Sequence, residues 1–178
     1  MDEIHVTSCD MPLRILVVCA ANRFRSPLAE YLLRRDWAAH HVEVASAGVQ
    51  AVSGQAVHPL ALELAVDHGL LELQAHRSRR LTPAMIRAVD LVLTMDEMQR
   101  RDVLKATPAF TGRVLMLGCW RNVQIADPVA DAAVSCKRTF DLLRDCLGDW
   151  KERLQGSGLL PLRSISVAGA AQEMSDAG

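Results

Sequence analysis

No apolar run in this 178-residue chain approaches the roughly 20 residues a membrane helix needs, so direct insertion into a bilayer is not expected. An excess of one charge is missing as well. With 20 basic and 21 acidic side chains the formal net charge is -1, which leaves no global basic field of the kind that gathers nucleic acid. Paired cysteines are absent too. Cys9, Cys19, Cys119, Cys136 and Cys146 are odd in number and form neither a CxxC pair nor a zinc spacing, so no disulfide framework and no metal are expected. No cofactor is expected either. The first ten residues, MDEIHVTSCD, have neither the basic region nor the apolar stretch of a secretory signal, which points to a cytoplasmic location. Aromatics make up only 4% of the chain, so few rings are available to grip a planar ligand.

What is present is ordinary for a folded protein: 50% hydrophobic and 23% charged residues, in a length suited to one domain. Residues 1–12 read as a loose leader, 13–154 as the folded domain and 155–178 as a disordered tail, small, polar and Gly-containing. Leu13–Cys19 (LRILVVC) is a continuous apolar run, short enough for a strand buried on both faces of a parallel sheet. A helix is expected from about Pro27 to Ala39, with Ser26 as N-cap, Pro27 at N1 and Glu30 in the capping-box region. Strands follow at Val42–Ala47, Ala88–Met95 and Arg113–Leu117, with helices beginning near His58-Pro59 and at Asp96. In the last helix Cys136, Phe140, Leu143, Leu147, Trp150 and Leu154 mark one buried face. Strands alternating with helices predict a single α/β domain: a four-stranded open parallel sheet with helices on both faces. Ligands bind such sheets beyond the carboxyl ends of the strands, and the first strand ends at Cys19.

The loop after that strand is where chemistry concentrates. In Cys19-Ala20-Ala21-Asn22-Arg23-Phe24-Arg25-Ser26 the backbone N–H groups can curl inward into an anion cradle, backed by the positive end of the next helix. Ala20 and Ala21 permit tight curvature, and Asn22 tolerates a left-handed conformation. Arg25 can hold two oxygens of a phosphate in its planar fork. The same donors would stabilise a thiolate at Cys19, so the loop offers an anion site and a nucleophile together. Ser26 is placed to donate to the sulfur when it leaves. A thiolate attacking phosphorus needs a proton donor for the departing oxygen. Asp127-Pro128, in the loop after the fourth strand, opens on the same sheet edge, with Asp131 and Asp96 as alternative acids.

The run VCAANRFRSPLAE resembles the phosphate loop of low-molecular-weight protein-tyrosine phosphatases: Cys, five residues, Arg-Ser-Pro, then Ala-Glu. The resemblance extends over roughly Leu13 to Leu154. It includes Ser46-Ala47-Gly48, His76 and Arg79, DLVLTM at 90–95, Trp120 and Asp127-Pro128. It is greatest toward the bacterial branch encoded with capsule and exopolysaccharide export, whose partner is a membrane tyrosine kinase. The resemblance implies Cys19 as nucleophile, Arg25 as phosphate clamp, Ser26 as aid to the thiolate and Asp127 as acid, then base. Residues 20–25 would bind substrate, and Asn22, Ser46 and His76 would hold the loop in shape.

Four positions depart from the family pattern. Ala21 stands where Gly is usual, and a methyl there costs about 1–2 kcal/mol if the residue needs positive φ. Phe24 replaces a second cysteine, and Arg23 replaces a residue that is often aliphatic. Val129 and Ala130 follow Asp127-Pro128 where an aromatic is common, leaving Phe24, Trp120 or Tyr31 to flank a substrate ring. Rival functions are a degenerate phosphotyrosine- or kinase-binding module, an arginine phosphatase and an arsenate reductase. The last needs resolving cysteines that residues 68–95 lack. The run Arg77-Ser78-Arg79-Arg80 is either a solvated basic face or a surface that recruits an acidic or phosphorylated partner.

Overall fold

The computed structural model describes residues 11–128 and 133–160. Four parallel strands, β1 (Leu13–Cys19), β2 (Val42–Gly48), β3 (Leu91–Thr94) and β4 (Val114–Met116), form one sheet in the order β2-β1-β3-β4. Helices α1 (Arg25–Asp36) and α5 (Ala133–Gly156) lie on one face, with α2 (Pro59–Asp67) beside them. The short α3 (Pro83–Arg87) and α4 (Glu97–Ala106) cover the other. β1 shows why its run is continuously apolar. Ile15, Val17 and Cys19 face the α1 and α5 layer, while Leu16 and Val18 point to Ile86 and Val103 opposite. β2 and β3 flank β1 on either side, so the strand order reverses beside the end of β1 and opens a crevice there.

Local chemistry moves several boundaries. α1 begins at Arg25 with Phe24 as an N-cap that makes no side-chain bond, not with Ser26 capping Pro27. Ser26 is unavailable as a cap because its hydroxyl is engaged at Cys19. Pro27 still sits in the first turn, where a missing N–H forfeits no intrahelical bond. The third strand is shorter than its apolar run. Thr82 Oγ1 accepts the Met85 N–H and starts α3, Ala88 ends it, and Asp90 binds the backbone and guanidinium of Arg14. β2 instead gains Gly48, where a Cβ would stand 2.4 Å from the Ala20 carbonyl oxygen, so only glycine permits the approach. α5 runs past Leu154 to Gly156, and the chain then turns to bury Leu160 against the core. Residues 1–10 and 161–178, and Val129, Ala130 and Asp131 with Ala132, lie outside the described residues.

Candidate active site

The segment between β1 and α1 is shaped from outside and inside. Its carbonyls are drawn outward: Cys19 O accepts the Val49 N–H (3.0 Å) and Ala20 O that of Gln50 (2.9 Å). That leaves loop N–H groups to face inward, the condition for an anion cradle. Asn22 takes the left-handed conformation (φ 55°), whereas Ala21 has no positive φ. The methyl of Ala21 therefore brings no backbone strain, and the residue is exposed at the pocket.

Asn22 is the hub, completely buried. Its Nδ2 donates to Ser26 Oγ (2.9 Å) and Ser46 Oγ (2.8 Å), and its Oδ1 accepts the Arg79 N–H (2.8 Å). Its backbone N–H points at Cys19 Sγ (3.3 Å), and its carbonyl accepts from His76 Nε2 (3.2 Å). Proton directions follow. The Ser46 hydroxyl donates to Glu30 Oε2 (2.5 Å). Ser26, already an acceptor from Asn22, has its own proton for Cys19 Sγ at 2.9 Å, with the Ala47 carbonyl farther off at 3.4 Å. Two donors thus converge on one sulfur, which suits an anionic nucleophile.

His76 closes the network from behind. Nε2 must carry a proton to donate to the Asn22 carbonyl, while Nδ1 lies 3.9 Å from Glu30 Oε2. Burial holds the imidazole below its ordinary range against the pull of Glu30, so it is neutral at pH 7. Glu30 itself is buried and pairs with Arg34 as well as Ser46.

Arg25 forms a wall of the pocket, with its side chain only 4% exposed. Nη1 donates to the Ile125 carbonyl (2.9 Å) and lies 3.8 Å from Asp96 Oδ2, while Nη2 meets Asp127 Oδ2 at 3.0 Å. Nε is buried and has no partner among the described residues, so one edge of the fork is left for an incoming acceptor. Asp96 caps α4 through the Gln99 N–H (2.8 Å) and holds Gln99 Nε2 with its other oxygen. It stands behind Arg25, while Asp127, 66% exposed, lies at the mouth. The pocket, about 210 Å³, is lined by Cys19, Ala21, Arg23, Phe24, Arg25 and Asp127. His58, Pro128 and Cys136 complete it.

Of the three aromatics considered for the rim, only Phe24 reaches the pocket, edge-on to His58 with centroids 6.1 Å apart. Tyr31 packs on His76 and Arg34, and Trp120 on Trp150 and Arg153. Sequence reasoning did not single out Glu30 or Asp96 as supports of the loop and its arginine, nor His58 and Cys136 as pocket walls. For Glu30 a signal existed, because it lies one helical turn beyond Ser26 and so on the same face of α1. Among the described residues no group of His, Cys, Asp and Glu could hold a metal ion, and no helix is long and apolar enough to cross a membrane.

A cysteine sulfur facing two donors, an arginine fork and a carboxylate at the mouth stand together beyond the first strand of an open parallel sheet, an arrangement able to bind an oxyanion beside a thiol. Residues 14–158 match the family described as low molecular weight phosphotyrosine protein phosphatase, and the chain belongs to that family of phosphotyrosine hydrolases. It is 35% identical over 144 residues to a probable low molecular weight protein-tyrosine-phosphatase, EpsP, of Ralstonia nicotianae, covering 81% of this chain and 97% of that one. The crystal structure of the Erwinia amylovora tyrosine phosphatase AmsI superposes with a TM-score of 0.74 at 33% identity, covering 80% and 93% of the two chains. The arginine phosphatase YwlE of Geobacillus stearothermophilus superposes with a TM-score of 0.76 at 30% identity, covering 83% and 96%.

Proposed function

We propose that this phosphatase cleaves protein phosphotyrosine through a cysteinyl-phosphate intermediate, with Cys19, Arg25, Ser26 and Asp127 as the catalytic groups. The carrying observation is the buried Nε of Arg25, without a partner among the described residues, in the same pocket as a sulfur that faces two hydrogen-bond donors. In the first step the Cys19–phosphorus bond forms and the phosphorus–phenol oxygen bond breaks. Arg25 holds two equatorial oxygens, and Asp127 gives its proton to the departing phenolate. In the second step water attacks phosphorus, Asp127 takes the water's proton, and the sulfur leaves as a thiolate that receives the Ser26 hydroxyl. Asn22, Ser46 and His76 keep that hydroxyl aimed. Residues 20–25 supply the cradle and its rim.

The substrate proposed is a bacterial tyrosine kinase at the membrane, or another protein of an exopolysaccharide pathway, met from the cytoplasm. Resemblance to the capsule and exopolysaccharide branch is the support for this. An arginine phosphatase reading draws support from the likeness to YwlE. Against it stands Arg23, a cation lining the mouth where a guanidino substrate would enter. The test is hydrolysis of p-nitrophenyl phosphate, a phosphotyrosyl peptide and a phosphoarginyl peptide by wild type, Cys19→Ser and Arg25→Lys. Wild type should cleave the first two and spare the third, and both variants should fall below about a tenth of its rate, since each group supplies several kcal/mol. More activity than that in either variant removes the assigned role.

A further inference from the structure

Half of the arginines among the described residues are committed to carboxylates. Arg14, Arg34, Arg35, Arg100, Arg101 and Arg121 each pair with an Asp or Glu. Arg23 and Arg77 make no ion pair among the described residues. Arg23 lines the mouth and spends only Nε, donating to the Ala56 carbonyl at 2.9 Å. Its terminal nitrogens make no hydrogen bond among the described residues. Arg77, exposed, donates among the described residues only to the carbonyls of Gln74 and His76. Ala56 links the two, since it accepts from Arg23 and forms an antiparallel bridge with Arg77, and opposed residues in such a bridge have Cα atoms about 4.5–5.5 Å apart. The loop carrying Ala56 is in turn tied to the phosphate loop by the His58 N–H on the Arg23 carbonyl (2.9 Å).

From this arrangement we infer that Arg23 and Arg77 form a subsite for acidic residues flanking the phosphotyrosine, so that the preferred substrate is an acidic phosphotyrosyl segment. The inference rests on the phosphotyrosine reading. An extended peptide advances about 3.3 Å per residue, so side chains one to three positions from a phosphotyrosine in the pocket span the distance to a rim of this size. Arg23 is held in place by Ala56 before any peptide arrives, so little side-chain freedom is lost on contact. Among the described residues Phe24 is the one Phe, Tyr or Trp that lines the pocket, its ring already packed on His58, so charge carries much of the discrimination. Both cations are solvent-facing, which limits the effect and makes it sensitive to salt.

The test uses two phosphotyrosyl peptides of equal length, one with Asp and Glu flanks and one with Asn and Gln in their place. Wild type should prefer the acidic peptide in kcat/KM by about three- to tenfold at low salt, with the gap narrowing at moderate salt. Arg23→Gln, which keeps a donor for Ala56, and Arg77→Ala should each shrink the ratio, and the double charge reversal Arg23→Glu with Arg77→Glu should invert it. A ratio near one in wild type, or one that survives the double reversal, overturns the subsite. Calorimetric binding of both peptides to Cys19→Ser separates this from the hydrolase reading. Tighter binding of the acidic peptide supports the subsite even without turnover, and equal affinities overturn it even where hydrolysis is fast.

Discussion

Replacing Asn22 tests the loop at the point where backbone and side chain make separable demands. Asn22→Ala removes three side-chain hydrogen bonds, two buried ones to Ser26 and Ser46 and a partly buried one from the Arg79 N–H. The two serines keep their own donations to Cys19 and Glu30, so each loses only an incoming bond, about 0.5–1 kcal/mol apiece. The Arg79 N–H is left without its acceptor, which costs about 1–2 kcal/mol. Alanine must also hold the left-handed conformation that asparagine tolerates, about 1 kcal/mol more (φ 55°). The sum is about 3–5 kcal/mol, a large share of the roughly 5–15 kcal/mol that keeps a domain folded. Asn22→Gly loses the same bonds but relieves the φ, and greater unfolded-chain entropy offsets part of that gain. Glycine should therefore be the more stable variant by about 0.5–1 kcal/mol. Both should lose a hundredfold or more in kcat/KM on p-nitrophenyl phosphate, because the Ser26 proton is no longer steered to the sulfur. Urea unfolding followed by circular dichroism, with initial rates on folded protein, measures both. Equal stability of the two variants, or a loss below about 1 kcal/mol for alanine, refutes the account of Asn22 as a buried hub in a strained conformation.

Two further outcomes bear on other parts of the site. Asp127→Asn should slow phenyl phosphate far more than p-nitrophenyl phosphate, whose leaving group needs little help from a proton; equal loss on both removes Asp127 as the acid and turns attention to Asp131. Because burial lowers the His76 pKa on folding, the unfolded chain binds protons more readily, so stability is fully present above the unfolded value near 6.5 and falls as pH drops through the folded one. His76→Gln should flatten that fall in unfolding free energy between pH 7.5 and 5.5, and an unchanged slope would show that His76 does not titrate as described.

How much of this was legible beforehand depended on the range over which each feature is encoded. The sheet was readable because each strand carries its burial locally. LRILVVC is apolar at every position from Ile15 to Cys19, as a strand covered on both faces must be. The run at 88–95 looked like strand throughout, yet its first residue, Ala88, caps the end of α3, a helix started by a single threonine cap, and Asp90 is spent on Arg14 before the strand begins at Leu91. Nothing in an apolar pattern distinguishes a short helix turn from a strand end. Ser26-Pro27 was a sound capping signal in isolation, and it was overridden because the tertiary demand at Cys19 is met by the same hydroxyl.

The site divides along the same line. The placement of Cys19, Arg25 and Ser26 together was legible because eight residues of contiguous chain carry them, and spacing within one turn-sized loop nearly determines geometry. Its supports are bonds between residues 24, 54 and 57 positions apart, from Asn22 to Ser46, His76 and Arg79. No single-sequence pattern encodes those pairings, and only the family likeness pointed at Ser46 and His76. Ala21 shows the complementary lesson. A departure from glycine looked costly while the left-handed position was unassigned, and it ceases to be so once Asn22 takes that position (φ 55°). A loop of this kind needs one residue that tolerates positive φ, and placing that residue at 22 also places its amide where Ser26 and Ser46 need a donor. Conformational tolerance and hydrogen-bonding capacity are thus required of the same side chain, which is why asparagine, and neither glycine nor alanine, fits position 22.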